Sequence, residues 1–190
     1  MAGSLVRGDH VSCSRVGGAM RRESARLRQH AQSLADAFSE ISSSQEQGTE
    51  DPPAFVEATP GVAGTLRALQ STAEDLDRAG AALQRYATDL AQGHELGRQA
   101  ELRVERAGLL LEGTRVTEPW GPASAQEAER RRAQIPEVQS RVDLATAHIG
   151  RARGRLQREI APLTEGFSAH SRDAQSARQA PLPRRRSRPT

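Results

Sequence analysis

The stretch that decides the fold is Leu76–Leu90, LDRAGAALQRYATDL, in which leucine recurs every seven residues with alanine and glycine between. A seven-residue spacing of apolar side chains places them on one face of an α-helix. Strict repetition of seven also predicts left-handed supercoiling with neighbouring helices. The spacing continues outward from Leu69 to Leu111 and predicts a helix over residues 61–112.

Local signals give that helix its expected ends. Thr59 before Pro60 is typical of an N-cap followed by a first-turn proline. Gly113 is typical of a C-terminal stop. Gly93 and Gly97 lie in the interior, where each costs about 1 kcal/mol relative to alanine, and they indicate either a weak point or a close approach of another backbone.

Two further segments carry the same repeat. A helix is predicted over residues 14–42, with Gly17 and Gly18 expected to fray its start. Another is predicted over residues 124–167, because Ser124 and Glu127 form a capping box. The residues spaced by seven are Met20, Leu27, Leu34 and Ile41 in the first segment and Ile135, Val142, Ile149, Leu156 and Leu163 in the second. Pro136 is expected to kink or restart the latter helix.

The composition excludes several other classes of protein. The chain has 190 residues, enough for one domain with a tail. Aromatic residues make up 3%, too few for a β-sandwich or barrel, and a single cysteine, Cys13, excludes a disulfide scaffold. No apolar run approaches the roughly 20 residues that a membrane span needs.

The positive charge is concentrated at the C-terminus. Residues 172–190 contain six arginines and one aspartate, a net charge of +5, whereas the rest of the chain sums to −2. With few apolar side chains to bury, residues 170–190 are predicted to form a disordered basic tail. Residues 1–13 are predicted to be a flexible N-terminus.

Together these patterns predict an all-α protein, an elongated three-helix antiparallel coiled-coil bundle over residues 14–169. The second and third helices form a long helical hairpin because their connector is short. Since the first helix is about half as long as the others, part of the apolar stripe is expected to lie uncovered and to bind a helical protein partner or a second copy. The residues predicted to bind the partner are Leu76, Leu83, Leu90, Val142, Ile149 and Leu156, with Trp120 anchoring the hairpin turn.

The sequence offers no pattern for catalysis. The five histidines are scattered, Cys13 has no neighbouring base, and no glycine-rich phosphate loop is present. We therefore expect no catalytic, cofactor or metal site and no enzyme activity. The alternative function is binding of nucleic acid or an anionic membrane surface through the tail arginines Arg184, Arg185, Arg186 and Arg188.

Three stretches resemble the helical proteins of actinobacterial type VII (ESX) secretion loci, related to the WXG-type helical hairpins. They are Arg21–Leu27, Leu76–Gln84 and the connector Glu118–Pro122, which contains Trp120 and Gly121. The resemblance implies a secretion-associated helical protein that dimerises or pairs with a small partner, as substrate, partner or adaptor. Without a signal-peptide pattern in residues 1–16, we expect a cytoplasmic protein or one exported by a route that needs no signal peptide.

Overall fold

The structure is a computed structural model that describes residues 5–46 and 54–179. For residues 42, 44–46, 54–60 and 170–179 it describes the backbone alone. The elements are α1 (His10–Glu46), α2 (Ala54–Arg106), β1 (Leu110–Glu112), β2 (Arg115–Thr117) and α3 (Ala125–Gln179). The three helices pack antiparallel, which confirms the predicted fold class, and β1 and β2 add a small hairpin between α2 and α3.

Several predicted helix boundaries need correction. α1 begins at His10, before the predicted start at residue 14, and α2 begins at Ala54, so that Thr59 and Pro60 lie within the helix. α3 passes through Pro136 without a restart and continues past the predicted end at residue 167. Residues 180–190 of the predicted tail and residues 1–4 of the predicted flexible N-terminus lie outside the described residues.

Asp9 is the N-cap of α1. Its carboxylate accepts hydrogen bonds from the Val11 backbone N–H (2.9 Å) and the Ser12 hydroxyl (2.5 Å). The Ser12 side chain, then the Ser12 and Val11 backbone N–H groups, hold the pKa of this carboxyl below its ordinary value. The aspartate satisfies N–H groups that a helix start leaves without partners, and the helix therefore begins ahead of the two glycines expected to fray it.

α2 ends at Arg106 because Gly108 takes a left-handed conformation, with φ of +63°. The Leu109 N–H donates to the Val104 carbonyl (3.0 Å) and the Gly108 N–H to the Glu105 carbonyl (2.9 Å), which is the Schellman arrangement. The predicted stop, Gly113, instead has φ of +65° in the two-residue turn between β1 and β2.

The chain divides into two compact units, and each has its own buried side chains. The first unit comprises Met1–Arg21 and Arg78–Ile160, and the second comprises Arg22–Asp77 and Ala161–Thr190. One buried cluster of the first unit contains Ala100, Val104, Leu109, Val116, Val138 and Val142, and the other contains Val6, Leu90 and Ile149.

In the first unit, glycines bring α2 into close contact with its neighbours. A Cβ atom on Gly80 would lie 2.6 Å from the Gly17 carbonyl oxygen, and one on Gly17 would lie 2.7 Å from the Gly80 carbonyl oxygen. A Cβ atom on Gly93 would lie 2.0 Å from Ile149 Cδ1. On Gly97 it would lie 3.1 Å from Val6 Cγ2. Gly93 and Gly97 therefore make room for side chains and not for another backbone, whereas Gly17 and Gly80 bring two backbones together.

In the second unit, α1 and α2 meet at a small polar residue. Ser24 is fully buried, and its hydroxyl donates to the Ala73 carbonyl over 2.7 Å. Arg28 and Asp77 form an ion pair of 3.5 Å at the surface of the same contact. Serine fits here because its small side chain permits the helices to approach while its hydroxyl finds an acceptor.

We predict that Gly80→Ala destabilises the chain. The added methyl group has no space against the Gly17 backbone, and overpacking of this kind costs about 1–3 kcal/mol. Gly150→Ala is the matched control, because nothing lies within 4 Å of its Cβ position and the substitution gains about 1 kcal/mol of helix propensity. Denaturant unfolding of both variants checks this, and equal stabilisation by the two alanines would contradict it.

We predict that the Asp9 cap stabilises α1 only while its carboxylate is ionised. Because folding lowers this pKa, the stabilisation is complete above the unfolded pKa of about 3.9 and is lost as the pH falls through the lower folded value. Asp9→Ala should therefore reduce the melting temperature at about pH 6, and the difference from the wild type should shrink below about pH 4. Asp36→Ala, in the middle of α1, is the control; a difference for Asp9→Ala that does not change with pH would refute the assignment.

Candidate functional site

Three of the side chains predicted to bind a partner are buried inside the first unit. Leu90 is 1% exposed, Val142 is 0% exposed and Ile149 is 9% exposed. Leu83 and Leu156 are half-buried in the same unit, and Leu76 is half-buried in the second. Binding of a partner by the buried side chains stays a prediction, and it would require them to leave this packing.

Trp120, in contrast, lies on the surface with 98% of its area exposed. It stands in the irregular connector between β2 and α3, beside the half-buried Pro119 and beside Gly121, whose φ is +146°. An indole ring left in water is a large apolar surface that folding of the chain does not use. Of the seven residues predicted for partner binding, Trp120 is the most exposed, and Leu76, Leu83 and Leu156 are only partly accessible.

A cavity of about 950 Å³, which the sequence did not predict, lies in the first unit where α2 ends beside β1 and the segment before α1. Its apolar lining residues are Leu5, Leu102, Val104, Leu109, Leu110 and Leu111. The charged residues that line it are Arg7, Arg98, Glu101 and Glu105. The run of three leucines just before Gly113 was the available signal, but the heptad repeat through Leu111 assigned it to a helix.

Gln139 of α3 holds the β1–β2 hairpin in place. Its side-chain oxygen accepts a hydrogen bond from the Val116 N–H (2.8 Å), and its side-chain nitrogen donates to the Thr114 carbonyl (2.9 Å). Arg132 forms an ion pair with Glu118 over 2.8 Å just beyond β2. The hairpin is thus fixed to α3 along the β2 side.

Ion pairs join α2 and α3 in the first unit, with the arginine supplied by either helix. Arg155 of α3 forms an ion pair of 2.7 Å with Asp89 of α2. Arg85 of α2 forms one of 2.6 Å with Glu159 of α3. These pairs are largely exposed, so each contributes at most about 1 kcal/mol. They account for Arg155 of α3 as an interhelical contact. The tail residues Arg184, Arg185, Arg186 and Arg188 lie outside the described residues.

Two histidines and one glutamate among the described residues are held by hydrogen bonds. The His94 ring lies 2.9 Å from the Gly8 carbonyl oxygen, and the His148 ring lies 3.1 Å from the Asp89 carbonyl oxygen. A side-chain hydrogen bond from Arg98, followed by one from Gln99, lowers the pKa of Glu95. Over residues 5–46 and 54–179, no three histidine, cysteine, aspartate or glutamate side chains converge in a way that could hold a metal ion.

Comparisons of the chain with protein-family models, with curated proteins and with solved structures gave no match. Within the described part of the chain, no helix combines the length and apolar character needed to span a membrane.

We predict that Gln139→Met loosens the hairpin while keeping the volume of the side chain. Val116 is buried, and its N–H would lose its acceptor, which costs about 1–3 kcal/mol. Amide hydrogen exchange at Val116 should accelerate, and the free energy of unfolding should fall by a similar amount. Gln157→Met, on an exposed position of α3, is the control; unchanged exchange at Val116 would show that Gln139 does not hold the hairpin.

Proposed function

We propose that the chain is a non-enzymatic interaction module that binds a helical protein partner or a second copy, with Trp120 as the principal contact. The exposure of Trp120 carries this proposal. Tryptophan is enriched among residues that dominate binding energy, because it buries a large rigid surface at little entropic cost. Neither its sequence neighbours nor the hairpin covers the ring.

The packing of the helices supports the same proposal. Leu90, Val142 and Ile149 are buried inside the first unit, so the chain itself already packs these seam positions. A packed scaffold that presents an accessible aromatic side chain is suited to recognition, since little order has to be gained on binding.

The narrower proposal is a role at a type VII secretion locus, as substrate, partner or adaptor of the WXG-related helical proteins. Its support is the resemblance of Arg21–Leu27, Leu76–Gln84 and Glu118–Pro122, together with the position of Trp120 between two antiparallel helices. Gly121 follows Trp120 directly, without the residue that separates the two in the family motif. A cytoplasmic adaptor and an exported protein are both compatible with this role.

The alternative function is anion binding by the arginine-rich tail. The observation that favours it is the separation of charge, with +5 over residues 172–190 against −2 elsewhere. Such a tail would bind nucleic acid or anionic lipid through nonspecific contacts that weaken steeply with salt.

We predict that Trp120→Ala weakens association by about 30-fold or more, the scale of a contact that contributes at least about 2 kcal/mol. The association is measured by sedimentation over a concentration series, alone and with the proteins that purify with the chain. The emission of the single tryptophan should shift to shorter wavelength as the complex forms, because the indole leaves water.

Two controls separate the functions. Leu144→Ala removes another exposed apolar side chain of the first unit and should leave association unchanged. A chain lacking residues 172–190 should still associate, whereas loss of association on deletion, with steep salt dependence, would favour the tail. A chain that stays monomeric in every mixture, with unshifted tryptophan emission, would contradict the proposal.

A further inference from the structure

The two strands of the hairpin differ in the hydrogen bonds that their outer edges make. In the register, Leu111 stands directly opposite Val116. The Val116 N–H donates to Gln139 of α3 and not across the hairpin, so this pair is of the type that exchanges no hydrogen bonds. The N–H and C=O groups of Leu111 therefore point away from β2 as well.

The outer edge of β2 is covered by Gln139, whereas the described residues leave that of β1 open. Gln139 satisfies the Val116 N–H and the Thr114 carbonyl on the β2 side. On the β1 side, no group within residues 5–46 and 54–179 bonds to the Leu111 N–H. An open strand edge is a template for pairing with another extended chain.

The open edge lies beside the leucine-lined cavity. Leu109, Leu110 and Leu111 contribute to its wall, and Leu102 of α2 and Leu5 contribute from the other sides. Leu102 and Leu110 remain 49% and 43% exposed. A volume of about 950 Å³ accommodates several apolar side chains. A chain paired with Leu111 could therefore direct its side chains into an apolar space.

Charged residues that line the cavity set a further requirement for the molecule that binds there. Glu101 already accepts a hydrogen bond from the Leu5 N–H (2.6 Å), and Arg98 is paired with Glu95. Arg7 and Glu105 have no ion pair within the described part of the chain. Arg7 complements an acidic group of an occupant and Glu105 complements a basic one, next to the apolar residue that the leucines accommodate.

We propose that the outer edge of β1 and the adjoining cavity bind an extended peptide segment of a partner protein, with an apolar residue flanked by an acidic and a basic one. The segment adds a strand to β1 through Leu111 and places its apolar side chain among the leucines. A helix satisfies its backbone groups internally and an acyl chain has none, so neither would pair with Leu111. This site is distinct from Trp120 and does not depend on the function proposed above.

The test uses the full chain and a library of hexapeptides with Leu, Val or Ile at the third position, an acidic residue on one side and a basic residue on the other. We expect the best members to bind with dissociation constants below about 1 mM, the weak end of specific binding. The Leu111 amide resonance should shift on binding. No binding by any member would overturn the proposal, as would shifts confined to other regions.

Two N-methylated versions of the best peptide, modified at the third or at the fourth amide, provide the decisive comparison. Strand pairing uses alternate amides, so one modification should abolish binding and the other should leave it nearly unchanged. Equal effects of the two modifications would show that no strand is added.

Variants of the chain locate the site. Leu110→Glu should weaken binding at least tenfold, and Leu144→Glu, on an exposed position of α3, should not. If Leu110→Glu fails to fold, the N-methylated pair decides with the wild-type chain alone. Concentration-dependent dimerisation through β1 in place of peptide binding would also overturn the proposal.

Discussion

Close approach of helix backbones at glycine is the constraint on which the first unit depends. Gly17 of α1 and Gly80 of α2 lie against each other, and neither position has space for a side chain. At Gly93 and Gly97 the missing side chain instead leaves room for the side chains of Ile149 and Val6. Because large side chains are few, tight contact between backbones provides the packing that a larger core provides elsewhere.

This constraint explains which surfaces remain for other molecules. The chain covers α2 with its own segments, so that Leu90 and Val142 are buried and the heptad seam is largely used within the monomer. Two of the surfaces that the packing leaves accessible lie around the hairpin: Trp120 in the connector, and the outer edge of β1 beside its cavity. The proposed functions therefore belong to the connection between α2 and α3 more than to the helix faces.

The sequence predicted the three helices because a seven-residue repeat persists over many turns and survives local exceptions. It predicted the start of α3, where the Glu127 N–H does bond to the Ser124 hydroxyl. It missed the end of α2 because Gly108 and Gly113 are equally good stops locally, and the choice depends on burial of Leu109 and Val116. The cavity and the open strand edge were missed for the same reason, since neither would exist if Leu110–Glu112 were helical. Gly17 was predicted to fray α1 because the sequence of one helix does not distinguish a glycine that frays it from a glycine that packs against another helix.

Nuclear Overhauser contacts in the intact chain test the central claim most directly. Gly17 and Gly80 are separated by more than sixty residues in sequence, yet their backbones touch in the structure. The account predicts a strong contact between the α protons of Gly17 and Gly80. A folded, helical chain with both glycines assigned and no such contact would contradict it.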